Sequence, residues 1–417
     1  MMDEMRRVLR HREFRLLWMA SSASTLGDGI VFIALALYVT EIGTPTDVGL
    51  VLAAHALPLV LFVLIGGVWA DRLERHRVMV ATDVVRALLH GLLALLIFLG
   101  DVPIWAIVVI EAGFGTAEAF FSPAATGLIP QTVPEEDLQQ ANAAVSVVQN
   151  ASELLGPALA TALVLGLGAG WAFAVDALTF VISALLLARV RPRSRGERAE
   201  RQPLRAELAI GWRELRSRQW AWVVIAATSL ALLLALAPFV TLGPTVADDE
   251  YGSAGTYGAI MVALGAGTVI GSLVGLRWRP RYPIRFAMAW GTIWPPAIAI
   301  FALGPPLWVV VPLFALVGFG FAMFDVSWDT ALQERIPPYA LSRVSSFDWM
   351  GSLALLPIGY LLAGPLAEAF GAVEVLIVGG VLAFLVQLAA LVTPGVWRLP
   401  AIQPNSPRPS PVVDASA

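Results

Sequence analysis

Apolar stretches of membrane-spanning length alternate with short polar connections along almost the whole chain. The hydrocarbon core of a bilayer is about 30 Å thick and takes about 20 apolar residues per helix. Twelve stretches reach that length: 14–39, 48–70, 78–100, 103–126, 138–165, 170–190, 219–246, 253–276, 284–303, 306–331, 343–368 and 372–394. Turn residues separate neighbouring stretches, as in Gly100-Asp101-Val102-Pro103 and Gly304-Pro305-Pro306. One long polar insert interrupts the series. It spans 191–218, so the chain is expected to comprise a six-helix bundle over 1–190, a cytoplasmic linker, and a second six-helix bundle over 219–394. Within the linker, Leu204, Leu208, Trp212 and Leu215 recur at helical spacing, which predicts an amphipathic helix along the inner surface. The tail 395–417 is rich in Pro, Ser and Val without periodicity and is expected to be disordered.

The polar connections differ in charge according to the side they lie on. Arg6, Arg7, Arg10, Arg12 and Arg15 precede or open the first stretch, and Arg72, Arg75 and Arg77 follow the second. Ten arginines lie between Arg189 and Arg218, and Arg277, Arg279, Arg281 and Arg285 flank the eighth connection. The intervening connections hold no arginine and carry Glu41, Asp47, Asp101, Asp248, Asp249, Glu250 and Glu374 instead. Positive charge stays on the cytoplasmic side, so both termini are expected there, in a multi-pass protein of the plasma (inner) membrane.

Composition agrees with the pattern. Only 14% of the 417 residues are charged and 58% are hydrophobic, against about 25% charged in soluble proteins. The chain has no cysteine, which excludes disulfides, thiolate chemistry and Cys-based metal sites. Every basic residue other than histidine is arginine. The first stretch reads as a retained helix rather than a signal peptide. No phosphate-binding loop of the Gly-x-x-x-x-Gly-Lys-Ser/Thr type is present, and four scattered histidines offer no nucleophile–base set. Neither an ATP-driven pump nor an enzyme is therefore expected, and no cofactor, metal or nucleic acid.

The connection Gly67-Val-Trp-Ala-Asp-Arg-Leu-Glu-Arg-His-Arg77 resembles the signature loop between helices 2 and 3 of the major facilitator superfamily, Gly-x-x-small-Asp-Arg-x-Gly-Arg-basic-basic. Gly67, Ala70, Asp71, Arg72, Arg75, His76 and Arg77 match it, while Glu74 stands where that pattern has glycine. A fainter copy lies 204 residues on, with Gly271, Arg279 and Arg281 aligned but Gly275 in place of Asp71. Val133-Pro134-x-x-x-Leu138 is likewise echoed by Ile336-Pro337-x-x-x-Leu341. Such repeats fit two pseudo-symmetric six-helix bundles. Phe14-Arg15-Leu16-Leu17-Trp18, Leu26-Gly27-Asp28, Glu118-Ala119-Phe120-Phe121-Ser122-Pro123 and Ala141-Asn142-Ala143 are similar to the macrolide and siderophore exporter branch. Leu155-Gly156-Pro157 resembles the centre of the antiporter motif, with its outer glycines replaced. The resemblance implies an all-α, twelve-helix membrane transporter. It further implies a cytoplasmic gate at Gly67, Asp71, Arg72, Arg75 and Arg77, and a helix-5 kink at Gly156 and Pro157.

Ionisable residues within a membrane helix are costly and face a cavity or a partner. Asp28 lies mid-way along the first stretch. Glu111, Gly115, Glu118 and Ser122 form one face of the fourth, and Asn142, Ser146, Gln149 and Glu153 one face of the fifth. These two stripes predict an aqueous cavity, with Asp28, Glu111, Glu118, Asn142, Gln149 and Glu153 as proton-coupling or cavity residues. Asp83 and Arg86 are expected to form a local structural pair, and His55 is not expected to relay protons. Asp325, Asp329 and Asp348 are expected to meet Arg335, Arg343 or the Gly67–Arg77 loop. Trp290, Trp294, Phe319, Phe321, Phe324, Trp328 and Trp349 are candidates for an apolar binding surface or for packing. The expected function is proton-coupled export of an amphipathic small molecule by a monomer. The alternatives are a uniporter or importer of one metabolite, and a membrane scaffold.

Overall fold

The computed structural model describes residues 7–100, 102–134, 137–192, 204–275 and 280–400; within its helices the side chains of 64–72, Glu153 and several others lie outside the described residues. The first six predicted stretches are single helices: α1 Arg12–Ile42, α2 Pro45–Arg72, α3 Arg75–Leu99, α4 Ile104–Leu128, α5 Leu138–Leu167 and α6 Ala169–Leu187. The linker helix is α7, Leu204–Arg216. Three of the remaining stretches, expected as continuous helices, are interrupted. α8, Gln219–Ala231, passes through a π-helical turn at Leu232–Leu236 into α9, Ala237–Tyr251. α10 spans Gly255–Gly275, and the ninth stretch divides into α11, Pro283–Gly291, and α12, Trp294–Ala302. α13 is Leu307–Arg335. The eleventh stretch divides into α14, Pro338–Leu353, and α15, Leu356–Phe370, and α16 follows at Ala372–Val392. Prolines account for two of these breaks. Pro295, Pro296 and Pro357 lack the amide hydrogen that a continuing helix needs for the carbonyl one turn earlier.

Eleven helices among the described residues are long and apolar enough to cross a membrane, and α5 is apolar over Leu155–Leu167. No strand occurs among the described residues. The arginine-free connections are tight. Five of the six turn on a glycine with positive φ: Gly100, Gly168, Gly252, Gly304 and Gly371. The sixth leads into a reciprocal cap. Asp47 accepts from the Thr44 amide at 2.8 Å and its hydroxyl at 2.9 Å, and the Asp47 amide faces the Thr44 hydroxyl at 3.3 Å. With Pro45 at the first helical position, this is a capping box that starts α2.

The chain divides into two compact units. The first comprises Met1–Arg198, Val240–Val262 and Tyr360–Ala372; the second comprises Ala199–Phe239, Ala263–Gly359 and Val373–Ala417. In the first, α2 packs on α4, α3 on α4 and α6, and α1 on α5 and α6. Thr46 at the start of α2 donates to Glu368 of α15 at 2.6 Å. In the second, α13 packs on α11 and α12, and α14 on α7 and α8, around a buried core that includes Trp220, Met288, Trp328 and Leu332. α7 joins this core through Leu215, and its Trp212 ring lies 5.8 Å from that of Phe347.

The tail departs from expectation at its start. Pro394–Trp397 makes one helical turn, α17, because Val396 is buried and the Arg285 guanidinium sits 3.6 Å from the Trp397 ring centre. Residues 401–417 lie outside the described residues.

Candidate functional site

Glu111 and Glu118 lie seven residues apart on one face of α4, and Gly115 falls between them. A side chain there would place its Cβ 2.0 Å from the backbone oxygen of His55. The missing side chain lets α2 lie directly against α4, and the imidazole of His55 enters the gap between the two acids. Its Nδ1 is 3.1 Å from Glu111 and its Nε2 is 3.1 Å from Glu118. His55, ambiguous from its sequence position, therefore joins the two predicted acids. Periodicity shows which face a residue occupies and is blind to the partner across a helix crossing.

A second imidazole extends the cluster. His90 of α3 stacks on Phe114 of α4, centre to centre at 3.9 Å and nearly coplanar. Its Nδ1 is 2.5 Å from Asp176 of α6, and its Nε2 is 3.4 Å from Glu111. Asp176 reaches this depth because Gly27 of α1 leaves room. A Cβ at Gly27 would stand 2.2 Å from the Asp176 carboxylate. Sequence reasoning missed Asp176, although a lone acid within the apolar run Phe173–Phe180 was the available signal.

Arg86 closes the set. Its guanidinium lies between the rings of Phe121, at 4.1 Å, and Phe180, at 4.3 Å. It is 2.5 Å from Asp83 and 3.8 Å from Asp28 of α1. The Asp83–Arg86 pair, expected to be local, is thus tied to α1. Cation–π contacts and an ion pair compensate a charge that could not otherwise stay out of water.

These groups form two layers. The side chains of Asp28, His55 and Glu118 keep 35%, 28% and 28% of their surface exposed, whereas those of Asp83, Arg86, His90, Glu111 and Asp176 keep 1% or less. Five carboxyl groups meet one guanidinium and two imidazoles. Even with both imidazoles protonated, the acids outnumber the bases by two. The surplus of two matches the two acids of the exposed layer, Asp28 and Glu118.

The other predicted residues are dispersed. Asn142 and Gln149 are exposed on α5, and the side chain of Glu153 lies outside the described residues. α4 packs mainly on α2 and α3, and α5 on α1 and α6. Gly156 abuts Gly29 at the α1–α5 crossing, where a Cβ would stand 2.7 Å from the Gly29 carbonyl. α5 continues unbroken through Pro157. In the signature loop, the side chains of Gly67, Asp71 and Arg72 lie outside the described residues. Arg75 donates to the carbonyl of Gly127 on α4. Arg77 pairs with Glu74 at 2.8 Å. Asp348, expected to meet an arginine, accepts from the indole of Trp328 at 2.9 Å, and Arg335 donates to the Pro400 carbonyl. Trp294 and Trp328 are buried in ring contacts with Phe321 and Phe324, and Trp290 meets Phe319 at 4.9 Å, so these aromatics pack. Trp349 is 70% exposed.

Comparisons with known proteins agree with this architecture. The sequence profile of the Major Facilitator Superfamily matches residues 17–355. Macrolide efflux protein A of Streptococcus pyogenes is 24% identical over 367 residues, covering 86% of this chain and 90% of that protein. The multidrug efflux pump Tap of Mycolicibacterium fortuitum is 28% identical over 400 residues, covering 90% and 96%. Among solved structures, the nucleoside transporter NupG superposes with a TM-score of 0.70 at 13% identity, covering 91% of this chain and 100% of that one. A bacterial homologue of the iron transporter ferroportin, in its inward-facing state, gives 0.66 at 18% identity, covering 92% and 99%.

Proposed function

Because the chain belongs to the major facilitator superfamily and is a multi-pass membrane transporter rather than an enzyme, we propose that it exports amphipathic small molecules in exchange for protons. The observation that carries this reading is the cluster of α1, α2, α3, α4 and α6, sealed on one side and open at Asp28, His55 and Glu118, whose five carboxyl groups exceed its bases by two. A site of that composition exchanges protons as its surroundings alternate between wet and closed. The efflux relatives, matched over nine-tenths or more of their length, support the direction and the class of substrate.

In this reading Asp28 and Glu118, the acids of the exposed layer, take up and release the coupling proton. The signature loop at Gly67, Asp71, Arg72, Arg75 and Arg77 closes the cytoplasmic side as two six-helix bundles rock. The transporter works as a monomer in the plasma membrane with both termini in the cytoplasm. A cysteine placed at Asp47 or Asp249 then reacts with an impermeant thiol reagent from outside, and one placed at Ser194 does not.

The test is ethidium and erythromycin efflux from cells with and without the protein, repeated after an uncoupler collapses the proton gradient. Gradient-dependent efflux that vanishes in Asp28→Asn or Glu118→Gln, at unchanged protein level, is the expected result. Efflux indifferent to the gradient would replace the antiporter with a uniporter.

A further inference from the structure

The two imidazoles of the first unit do more than neutralise acids. Together with three carboxyl groups they form an alternating series: Glu118, His55, Glu111, His90, Asp176. Successive groups are 3.1, 3.1, 3.4 and 2.5 Å apart. Each imidazole meets a different acid on each of its two nitrogens, which is the arrangement that lets a ring accept a proton on one side and release one on the other. The series also has a direction. At 1.5 Å per residue, Glu118 lies ~21 Å from the end of its helix nearest the α1–α2 turn, His55 ~15 Å, and Glu111 and Asp176 ~10 Å. Glu118 is the exposed end, and everything beyond His55 is sealed. One turn nearer the helix ends, Ile107 on α4 and Phe173 on α6 are fully buried.

We propose that His55 and His90 carry protons between Glu118 and Asp176, so that this unit contains a relay with one open and one closed end. A proton on the Glu118 carboxyl passes to Nε2 of His55, and the ring releases the proton of Nδ1 to Glu111. Glu111 hands a proton to Nε2 of His90, which releases that of Nδ1 to Asp176. The net change is one proton moved from Glu118 to Asp176, with each imidazole returned to its starting charge. One link is open in this structure. Nε2 of His90 and Oε1 of Glu111 face each other at 3.4 Å, and neither makes a hydrogen bond. A small rotation of either side chain closes it.

The destination explains the use of the relay. Asp176 presses on Gly27 of α1, the residue before Asp28. Besides His90, it feels the charges of Arg86, Glu111, Asp28 and Asp83, and Arg86 bridges the last two. A proton arriving on Asp176 removes negative charge beside the backbone of α1 and alters how Arg86 divides its attraction among the remaining acids. The state of the closed end is thereby felt by Asp28 in the exposed layer. The relay's role in transport rests on the proton-coupled reading; its existence does not.

The test therefore needs no transported substrate. Purified full-length protein is subjected to a rapid pH jump while infrared spectroscopy follows the carbonyl stretch of protonated carboxyl groups. Asp176→Asn identifies the component that belongs to Asp176. In His55→Gln and His90→Gln, which keep hydrogen-bonding side chains but cannot carry a proton, that component should appear at least about ten-fold more slowly. Glu118→Gln, which removes the open end, should slow it similarly and serves if a histidine variant does not fold. An Asp176 component that appears within about two-fold of the unmodified rate in a folded variant overturns the relay. A slowed component alongside gradient-independent efflux would keep the relay and remove proton-driven export.

Discussion

The first unit keeps charge at its centre where the second keeps aromatic rings. Asp28, Asp83, Arg86, His90, Glu111, Glu118 and Asp176 lie deep in α1, α3, α4 and α6, whereas the second unit is filled by Trp220, Phe324, Trp328 and their neighbours. Its Asp348 accepts from an indole N–H, that of Trp328. The backbones differ in the same sense. α1 to α6 are unbroken, and three of the later stretches are interrupted. A charged cluster depends on several side chains holding ångström-scale contacts at once, which continuous, tightly crossed helices provide. An aromatic core bound by dispersion tolerates bends. The contrast points to proton chemistry in one unit and adaptable shape in the other.

The harshest challenge to that contrast is Arg86→Met. Losing the guanidinium leaves the fully buried Asp83 without its cation, at a cost of about 3–5 kcal/mol, and removes the partner of the half-buried Asp28. The expected outcome is a large fall in folded yield, read by size-exclusion profile and thermal unfolding. Arg285→Met, which uncovers the Trp397 and Tyr282 rings in the second unit, should change the unfolding temperature little. Equal losses would mean that the cluster is no more demanding than an ordinary surface contact.

Next in size is the effect on transport. Asp28→Asn or Glu118→Gln should lower gradient-driven efflux by at least about ten-fold at normal protein level, whereas Asp348→Asn should stay within about two-fold. A stronger effect at Asp348 would move the coupling chemistry into the second unit.

How far the site was legible in the sequence bears on the third expectation. The spacing Glu111, Gly115, Glu118 was visible as one helical face, and Asp28 stood out as an acid in an apolar run. That His55 belongs with them was not visible, because its place depends on α2 crossing α4 at Gly115. Gly115→Ala should therefore act as a wedge, costing about 1–3 kcal/mol, and should part His55 from both acids. Gly291→Ala in the second unit, whose Cβ would meet nothing nearer than 3.7 Å, should leave thermal unfolding within about 1 kcal/mol of the unmodified protein. If the two alanines behave alike, the tight α2–α4 crossing is not what builds the site.

The smallest expected effect lies in the signature loop. Glu74→Gly restores the residue common in the resembling pattern and removes the exposed pair with Arg77. Exposed pairs contribute about 0–1 kcal/mol, so unfolding and efflux should scarcely move. A clear gain in transport would show that Glu74 restrains the loop.

The sequence by itself determined the properties that depend on local composition. The membrane-length stretches follow from runs of apolar residues, the two classes of connection from arginine placement, and the α2 start from Thr44-Pro45-Thr46-Asp47. It also marked the face of α4 that carries the acids. Only the tertiary structure decided what that face meets. His90 joins Asp176 across 86 residues, and Glu111 meets imidazoles from two different helices. Arg86 lies between rings of α4 and α6 while bridging to α1. A helical period assigns a direction around one axis; partners are chosen by how several axes cross, and here small residues such as Gly27 and Gly115 allow crossings close enough for the charges to meet.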